Sequence, residues 1–326
     1  MNRAICLGEM IIDCFSEQPG LARDEVNSWT PLPGGSSANI ACGLAKLGNL
    51  VDFVGAIGKD HWGDALVQLL DDMGVGREGV QRRIKAPTRK VYVSRNADNE
   101  VIFAGFSDDP TVFADAHLFA DALNPALFIR ASFLILGTLS MAYLDTRQSL
   151  ERAVDIAREQ NVSILVDVNW RPMFWPQPAA APALVYDLIQ KAQYLKVSDD
   201  EAEWLFATTS ASAIAHQLPH LKGVLVTTSE QGCRYWLMNN AGALPGFNLD
   251  SEDATGANDA FTAGFVHQLL QRGEACLQDP NVARQVVTYA SAVSALTTTR
   301  PGAIAALPTP TEIAAFLYLN KLTPIH

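Results

Sequence analysis

The chain has few of the features that mark an extracellular scaffold. Its 326 residues include five cysteines, Cys6, Cys14, Cys42, Cys233 and Cys276, scattered, odd in number and without a CxxC pair. That argues against a disulfide framework and fits reduced core thiols of a cytoplasmic protein. No segment holds 18 uninterrupted apolar residues, so no transmembrane helix is expected. The opening stretch MNRAICLGEMIIDCF is broken by Glu9 and Asp13 and reads as a first strand rather than a signal peptide. Positive charge is scarce too: 24 Lys and Arg stand against 35 Asp and Glu, a formal net charge of −11. Nucleic acid and anionic membrane both need a basic face, so neither is expected as a partner. A phosphate ligand stays compatible, because helix N-termini and a few placed cations bind phosphate locally.

Several catalytic signatures are missing as well. There is no GxxxxGK[ST] loop, no GxSxG elbow, and no GxGxxG after the first strand. His216 and His220 have the spacing of two metal ligands, but Pro219 interrupts them and no third ligand is near in sequence. Neither an internal repeat nor a low-complexity linker occurs.

What is present is a large apolar inventory, 48% hydrophobic against 18% charged, enough for a sizeable core. Short apolar runs at residues 4–7, 51–57, 132–136, 164–168, 194–197 and 223–227 alternate with helical patterns. Helices are expected over about 62–73, 146–159, 282–296 and 311–319. Such alternation predicts an α/β fold with a mainly parallel sheet covered by helices on both faces. Residues 88–94 and 100–106 alternate around Asn96-Ala97-Asp98-Asn99, a hairpin that predicts a small added sheet. With residues 15–33 it would form a lid. Pro178 to Pro182 reads as a loop.

Residues 253–261, DATGANDAF, run into an apolar helical pattern. The first N–H groups of such a helix lack internal partners and lie at the positive end of its dipole, a site for an anion. Asp259 stands there either as a capping residue or as a base for a hydroxyl attacking phosphorus. Asp13 lies near a strand's carboxyl end, where open α/β sheets place ligand groups, or else makes a turn. Gly34-Gly35 permits close backbone approach, and Ser36, Ser37 or Asn39 can start the helix that follows. Past residue 168, Arg171 is the best candidate for a charged oxygen or a sugar hydroxyl, the alternative being a surface loop packed by Trp170 and Trp175. Acidic residues after Ser198 are expected from the helix dipole alone.

The ordered set GEMIID (8–13), PGGSSANIACGLAKLG (33–48), VGAIGKD (54–60), DVNWRP (167–172), KVSDDEAEWLF (196–206), VLVTTSEQG (224–232) and DATGANDAF resembles the ribokinase, or PfkB, sugar kinases over nearly the full length. Within them it is most similar to the fructokinase branch. The resemblance implies a ribokinase-like three-layer α/β/α core, residues 1–14, 34–87 and 108–326, plus a β-sheet lid, residues 15–33 and 88–107, that also serves as a dimer clasp in many relatives. It implies ATP and Mg²⁺ as cofactors, K⁺ in some relatives, and fructose phosphorylated at its 6-hydroxyl. Asp259 would be the general base, and the N–H groups of Gly256, Ala257 and Asn258 the anion hole. Asp13, Gly34, Gly35, Asn39, Asn169 and Arg171 would hold the sugar. Lys196, Ser198, Thr228, Ser229 and Gly232 would serve the nucleotide. Glu201 would act on Mg²⁺ through water, and Asp253 would neighbour a monovalent cation. Three positions depart from the family pattern: Asn258 stands where Gly is usual, Ser229 where Gly is frequent and Ser198 where many relatives have Asn. The Asn258 side chain would project toward the γ-phosphate. Two other outcomes therefore stay open, a kinase for another sugar, sugar acid or nucleoside, and a fructokinase-like regulatory protein without turnover.

Overall fold

The computed structural model describes residues 3–18, 20–95, 101–228 and 232–321. Its strands are β1 (Arg3–Leu7), β2 (Ile11–Ser16), β3 (Trp29–Gly34), β4 (Leu50–Gly58), β5 (Gly76–Arg83), β6 (Lys90–Arg95), β7 (Val101–Phe106), β8 (Ala131–Gly137), β9 (Ser163–Asp167), β10 (Tyr194–Ser198), β11 (Gly223–Thr228), β12 (Gly232–Leu237) and β13 (Asn240–Leu244). The helices are α1 (Ser36–Lys46), α2 (His61–Asp72), α3 (Leu144–Glu159), α4 (Ala181–Ile189), α5 (Asp199–Phe206), α6 (Ala211–Gln217), α7 (Ala257–Arg272), α8 (Pro280–Thr297) and α9 (Pro310–Leu319).

Nine strands form one sheet in the order β13-β12-β11-β10-β9-β8-β1-β4-β5. The seven from β11 to β5 run parallel, and β12 and β13 close one edge antiparallel. The interior parallel strands are largely apolar on both faces, as their continuous runs require, whereas the edge strand β5, GREGVQRR, is mostly polar. Ala4 and Cys6 pack on one side of β1, Ile5 and Leu7 on the other, in two separate cores. One core is covered by α1, α7 and α8, the other by α3, α4, α5 and α6. Close approach explains the small residues there. A Cβ on Gly43 would sit 2.8 Å from that of Ala263, and one on Gly264 3.0 Å from the Ala290 Cα. From β1 the chain travels outward through β4 and β5, then returns to β8 and proceeds the opposite way. The β1/β8 pair is thus the switch point, where the strand ends open a crevice.

The small sheet has the order β3-β2-β6-β7, with β2 parallel to β6 and the outer pairs antiparallel. It takes the whole of β2, so Asp13 belongs to this sheet and not to the end of β1. The strand of the core stops at Leu7, and Gly8-Glu9-Met10 turns the chain into a second strand. The tip of the β6–β7 hairpin, Asn96 to Asn99, lies outside the described residues. A second correction concerns residues 178–182, expected as loop. They form a 3₁₀ turn and then the start of α4, with Pro182 in its first turn, where the missing N–H removes no helical bond. Among the described residues no helix is long and apolar enough to cross a membrane.

Candidate active site

Helix α7 begins at a glycine that only glycine can occupy. Gly256 has φ +78°, and a Cβ there would meet the Ala303 Cβ at 2.6 Å. The turn before it is held by Asp253, whose Oδ1 accepts from the Thr255 N–H at 3.0 Å and hydroxyl at 2.6 Å. Its Oδ2 accepts from the Gly302 N–H at 2.9 Å. No side chain caps α7, so its first turn keeps the positive end of the dipole available; the Ala257 N–H donates back to the Ala254 carbonyl at 3.2 Å.

Asp259 sits in that first turn and is buried. Its Oδ1 accepts from the Ser36 hydroxyl at 2.5 Å and its Oδ2 from the Asn39 amide at 2.8 Å, both from the first turn of α1. Burial pushes its carboxyl above the ordinary range, while Ser36, Asn39 and the charges of Lys196 and Arg171 pull it back. Lys196 supplies that charge from below. It is fully buried in an ion pair with Asp167, Nζ to Oδ1 3.1 Å, and Thr262 of α7 donates to Asp167 Oδ2 at 2.7 Å. Lys196 therefore stands beneath the site rather than at a nucleotide, where the motif resemblance put it.

Beside α7 lies a cavity of about 810 Å³, a volume suited to a nucleotide. Ser198, Thr228, Gly232 and Asn258 line it, as does the loop carrying Phe247 and Asn248. Ser229 lies outside the described residues. The Asn258 side chain does not project freely into this space: its Oδ1 accepts from the Thr227 hydroxyl at 3.1 Å, which draws it toward β11.

On the other side of Asp259, the small sheet carries Asp13 over the crevice. Burial and the charge of Asp259 raise its carboxyl to about 7, against the pull of Arg171. A Cβ on Gly34 would lie 2.0 Å from Asp13 Oδ2, so any side chain there would push the Asp13 carboxylate out of its present place. Gly35, at φ +99°, precedes α1. Asn169 adopts a left-handed φ of +42° that turns the chain after β9. Arg171 is exposed and donates to the Trp170 carbonyl at 3.0 Å, yet its charge is felt by both Asp13 and Asp259. Asp13, Asn39, Arg171 and Asp259 thus converge, while Glu201 does not join them as a free carboxylate. Its Oε1 accepts from the Trp170 N–H at 2.6 Å and its Oε2 from the Ser198 N–H at 2.8 Å, closing a capping box with the Ser198 hydroxyl. Among the described residues no group of three or more His, Cys, Asp or Glu could by itself hold a metal ion.

Sequence reasoning missed Glu9, Thr227, Asp167 and Thr262, and took Ser36 only as a helix start. Thr262 carried a signal, lying one turn after Asn258 on the predicted helix. The others meet only through the sheet.

The chain is similar to known proteins over nearly its whole length. The pfkB family carbohydrate kinase profile matches residues 1–310. A probable fructokinase-2 of Arabidopsis thaliana is 33% identical over 319 residues, covering 97% of this chain and 96% of the relative. A fructokinase of Xylella fastidiosa solved with bound ATP superposes with a TM-score of 0.89 at 27% identity, over 98% of this chain and 99% of that one. A fructokinase of Vibrio cholerae O395 solved with fructose, ADP and calcium gives 0.83 at 25% identity, over 97% and 99%. With the family profile spanning residues 1–310 and a relative 33% identical over 97% of the chain, the chain belongs to the pfkB family of carbohydrate kinases.

Proposed function

We propose that this chain transfers the γ-phosphoryl group of ATP to the 6-hydroxyl of D-fructose, with Asp259 as the base. One observation carries the reading. A buried carboxylate stands at the uncapped N-terminus of α7, between a nucleotide-sized cavity and a crevice closed by Asp13 and Arg171. The fructokinases of Xylella fastidiosa and Vibrio cholerae, with ATP and with fructose and ADP, support it. In the reaction Asp259 takes the hydroxyl proton as the sugar oxygen bonds to the γ-phosphorus. The bond from that phosphorus to the β-phosphate oxygen breaks and ADP leaves. The N–H groups of Gly256 and Asn258 meet the charge that develops on the transferring group, joined by that of Ala257 once it leaves the Ala254 carbonyl. Asp13, Gly34, Gly35, Asn39, Asn169 and Arg171 orient the sugar; Ser198, Thr228 and Gly232 line the nucleotide side. The lid formed by β2, β3, β6 and β7 excludes water from the transfer.

The donor set fits Mg²⁺ only as an ion brought by the nucleotide. Mg²⁺ keeps most of its waters and needs few protein oxygens, and it neutralises charge on the phosphates. Glu201, with both oxygens accepting N–H groups, suits contact through water. The same test does not favour K⁺ at Asp253: three hydrogen bonds engage its carboxylate as a tie between two loops, and no step is derived through that ion.

ADP release measured against a panel of sugars tests the function. Turnover with fructose is the expected result. Release with ribose, a sugar acid or a nucleoside but not fructose would move the substrate, and none with any ketose or aldose would sink the reading. Asn258→Gly decides whether the departure at that position matters. Because the Asn258 side chain is held by Thr227, the change is expected to alter kcat by no more than ~3-fold, about 0.7 kcal/mol on the barrier. It should lower stability by about 1 kcal/mol through the lost hydrogen bond and the added glycine. A large gain in kcat would show that Asn258 had been suppressing turnover.

The raised carboxyls also predict a pH dependence. Glu9 and Asp13 each titrate at about 7 in the folded chain, from ordinary values of 4.5 and 3.8. Between those values and about 7 the folded state holds more protons than the unfolded chain, so stability falls as pH rises through this window and levels off above it. Thermal melting of the ligand-free protein should therefore give a lower midpoint at pH 8 than at pH 5, and Asp13→Asn should flatten the slope. A midpoint that rises over this range would contradict it.

A further inference from the structure

Glu9 lies in the turn between β1 and β2 and is only 5% exposed. It faces the start of α1, a helix whose preceding residue, Gly35, offers no side-chain cap. The first N–H groups of such a helix need an acceptor from elsewhere. Glu9 Oε1 provides one, accepting from the Ser36 N–H at 2.7 Å. The backbone of Glu9 closes the same turn from its other side: a Cβ on Gly35 would meet the Glu9 carbonyl oxygen at 2.7 Å. Ser36, fixed in this way, donates its hydroxyl to Asp259 Oδ1 at 2.5 Å. Asn39, three residues on in the same first turn of α1, holds Oδ2 at 2.8 Å. The orientation of Asp259 is thus set by the first turn of α1, and that turn is set by Glu9.

We propose that Glu9 is a positioning residue for phosphoryl transfer: through Ser36 it holds the Asp259 carboxylate at the angle from which it takes the sugar proton. The inference rests on Asp259 being the base. It assigns Glu9 no contact with sugar or nucleotide. Its second oxygen, Oε2, is buried with no hydrogen-bond partner among the described residues. Burial, with the charges of Asp259 and Asp115, raises the Glu9 carboxyl to about 7. With Oε1 occupied by the Ser36 N–H, a proton on Glu9 belongs on Oε2. Glutamine reproduces that state, its carbonyl oxygen accepting from Ser36 and its amide nitrogen replacing the protonated oxygen. Alanine removes the acceptor and leaves a buried N–H unpaired.

The test is steady-state kinetics near neutral pH on Glu9→Gln, Glu9→Ala, Ser36→Ala and the Glu9→Ala/Ser36→Ala pair, with Asp259→Asn as reference. Small misplacement of a catalytic group is expensive, so Glu9→Ala and Ser36→Ala should each lower kcat about tenfold with KM for ATP unchanged. If Glu9 acts through Ser36, the double variant should stay within about twofold of the single variants, because the two changes remove one shared interaction. Glu9→Gln should keep kcat within about twofold of the unaltered chain. Multiplying losses in the double variant, a glutamine variant as poor as alanine, or an unimpaired Glu9→Ala would each overturn the proposal. Should Glu9→Ala fail to fold, Ser36→Ala decides, since an unchanged kcat there means the Ser36 hydroxyl does not hold the base. Retained turnover in Asp259→Asn would instead bring down the base assignment. An inactive Asp259→Asn beside a fully active Glu9→Ala would keep the base and remove Glu9.

Discussion

Asp259→Asn is expected to lower kcat with fructose by about 10²–10⁴-fold, the contribution of a positioned base, or roughly 3–5 kcal/mol on the barrier. The substitution isolates chemistry from architecture. Asparagine is isosteric, and its oxygen still accepts from Ser36, which now donates to Oδ1. Its new amide would face the amide of Asn39, donor against donor. Asn39 resolves this by rotating, because its own Oδ1 is buried without a partner and can accept. The sugar crevice and the nucleotide cavity stay as they are, so KM for both substrates should change little. Burial disfavours the Asp259 carboxylate, so the neutral amide should melt no lower than the unaltered chain above neutral pH. Loss of kcat with retained melting temperature and retained KM identifies the base. Full turnover in the variant would reduce Asp259 to the capping role that its place in the helix also allows.

Lys196→Met should have the largest effect on stability, about 3–5 kcal/mol, because it removes one member of a fully buried ion pair and strands the other. Asp167 has no exposed surface and would keep only the Thr262 hydroxyl as a partner on the helix side. Burial already raises the Asp167 carboxyl, with Lys196 opposing, so the stranded group would take up a proton rather than stay charged. A second effect distinguishes this variant from a simple core defect. Lys196 favours ionised Asp259, so its removal should move the acid limb of the kcat profile to higher pH. Urea unfolding and a pH–rate profile check the two halves. A stable variant with an unshifted limb would show that the pair neither supports the core nor reaches the base.

The head of α7 is legible in the amino-acid order alone, because its cues are local: a glycine, an asparagine, an aspartate and then apolar residues at helical spacing. The alternation of strands and helices is legible for the same reason, since apolar periodicity reflects burial on one face or two. Residues 253–261 also suggest an anion site, but leave Asp259 between cap and base. Only the tertiary structure resolves what surrounds it. Ser36 and Asn39 lie more than 200 residues away and reach Asp259 because α1 and α7 cover the same face of the sheet. Lys196 reads as a ligand contact in its motif and is instead a buried partner of Asp167, since neighbouring strands of a parallel sheet pair residues 29 apart. Asn258 reads as an obstruction and is drawn aside by Thr227. Glu9, in sequence merely a break in an apolar run, becomes the acceptor for α1. A chain's order can mark which residues start a helix or end a strand. Which carboxylate stays charged, and which way it points, depends on burial and on donors from distant elements, and those exist only once the sheet has assembled.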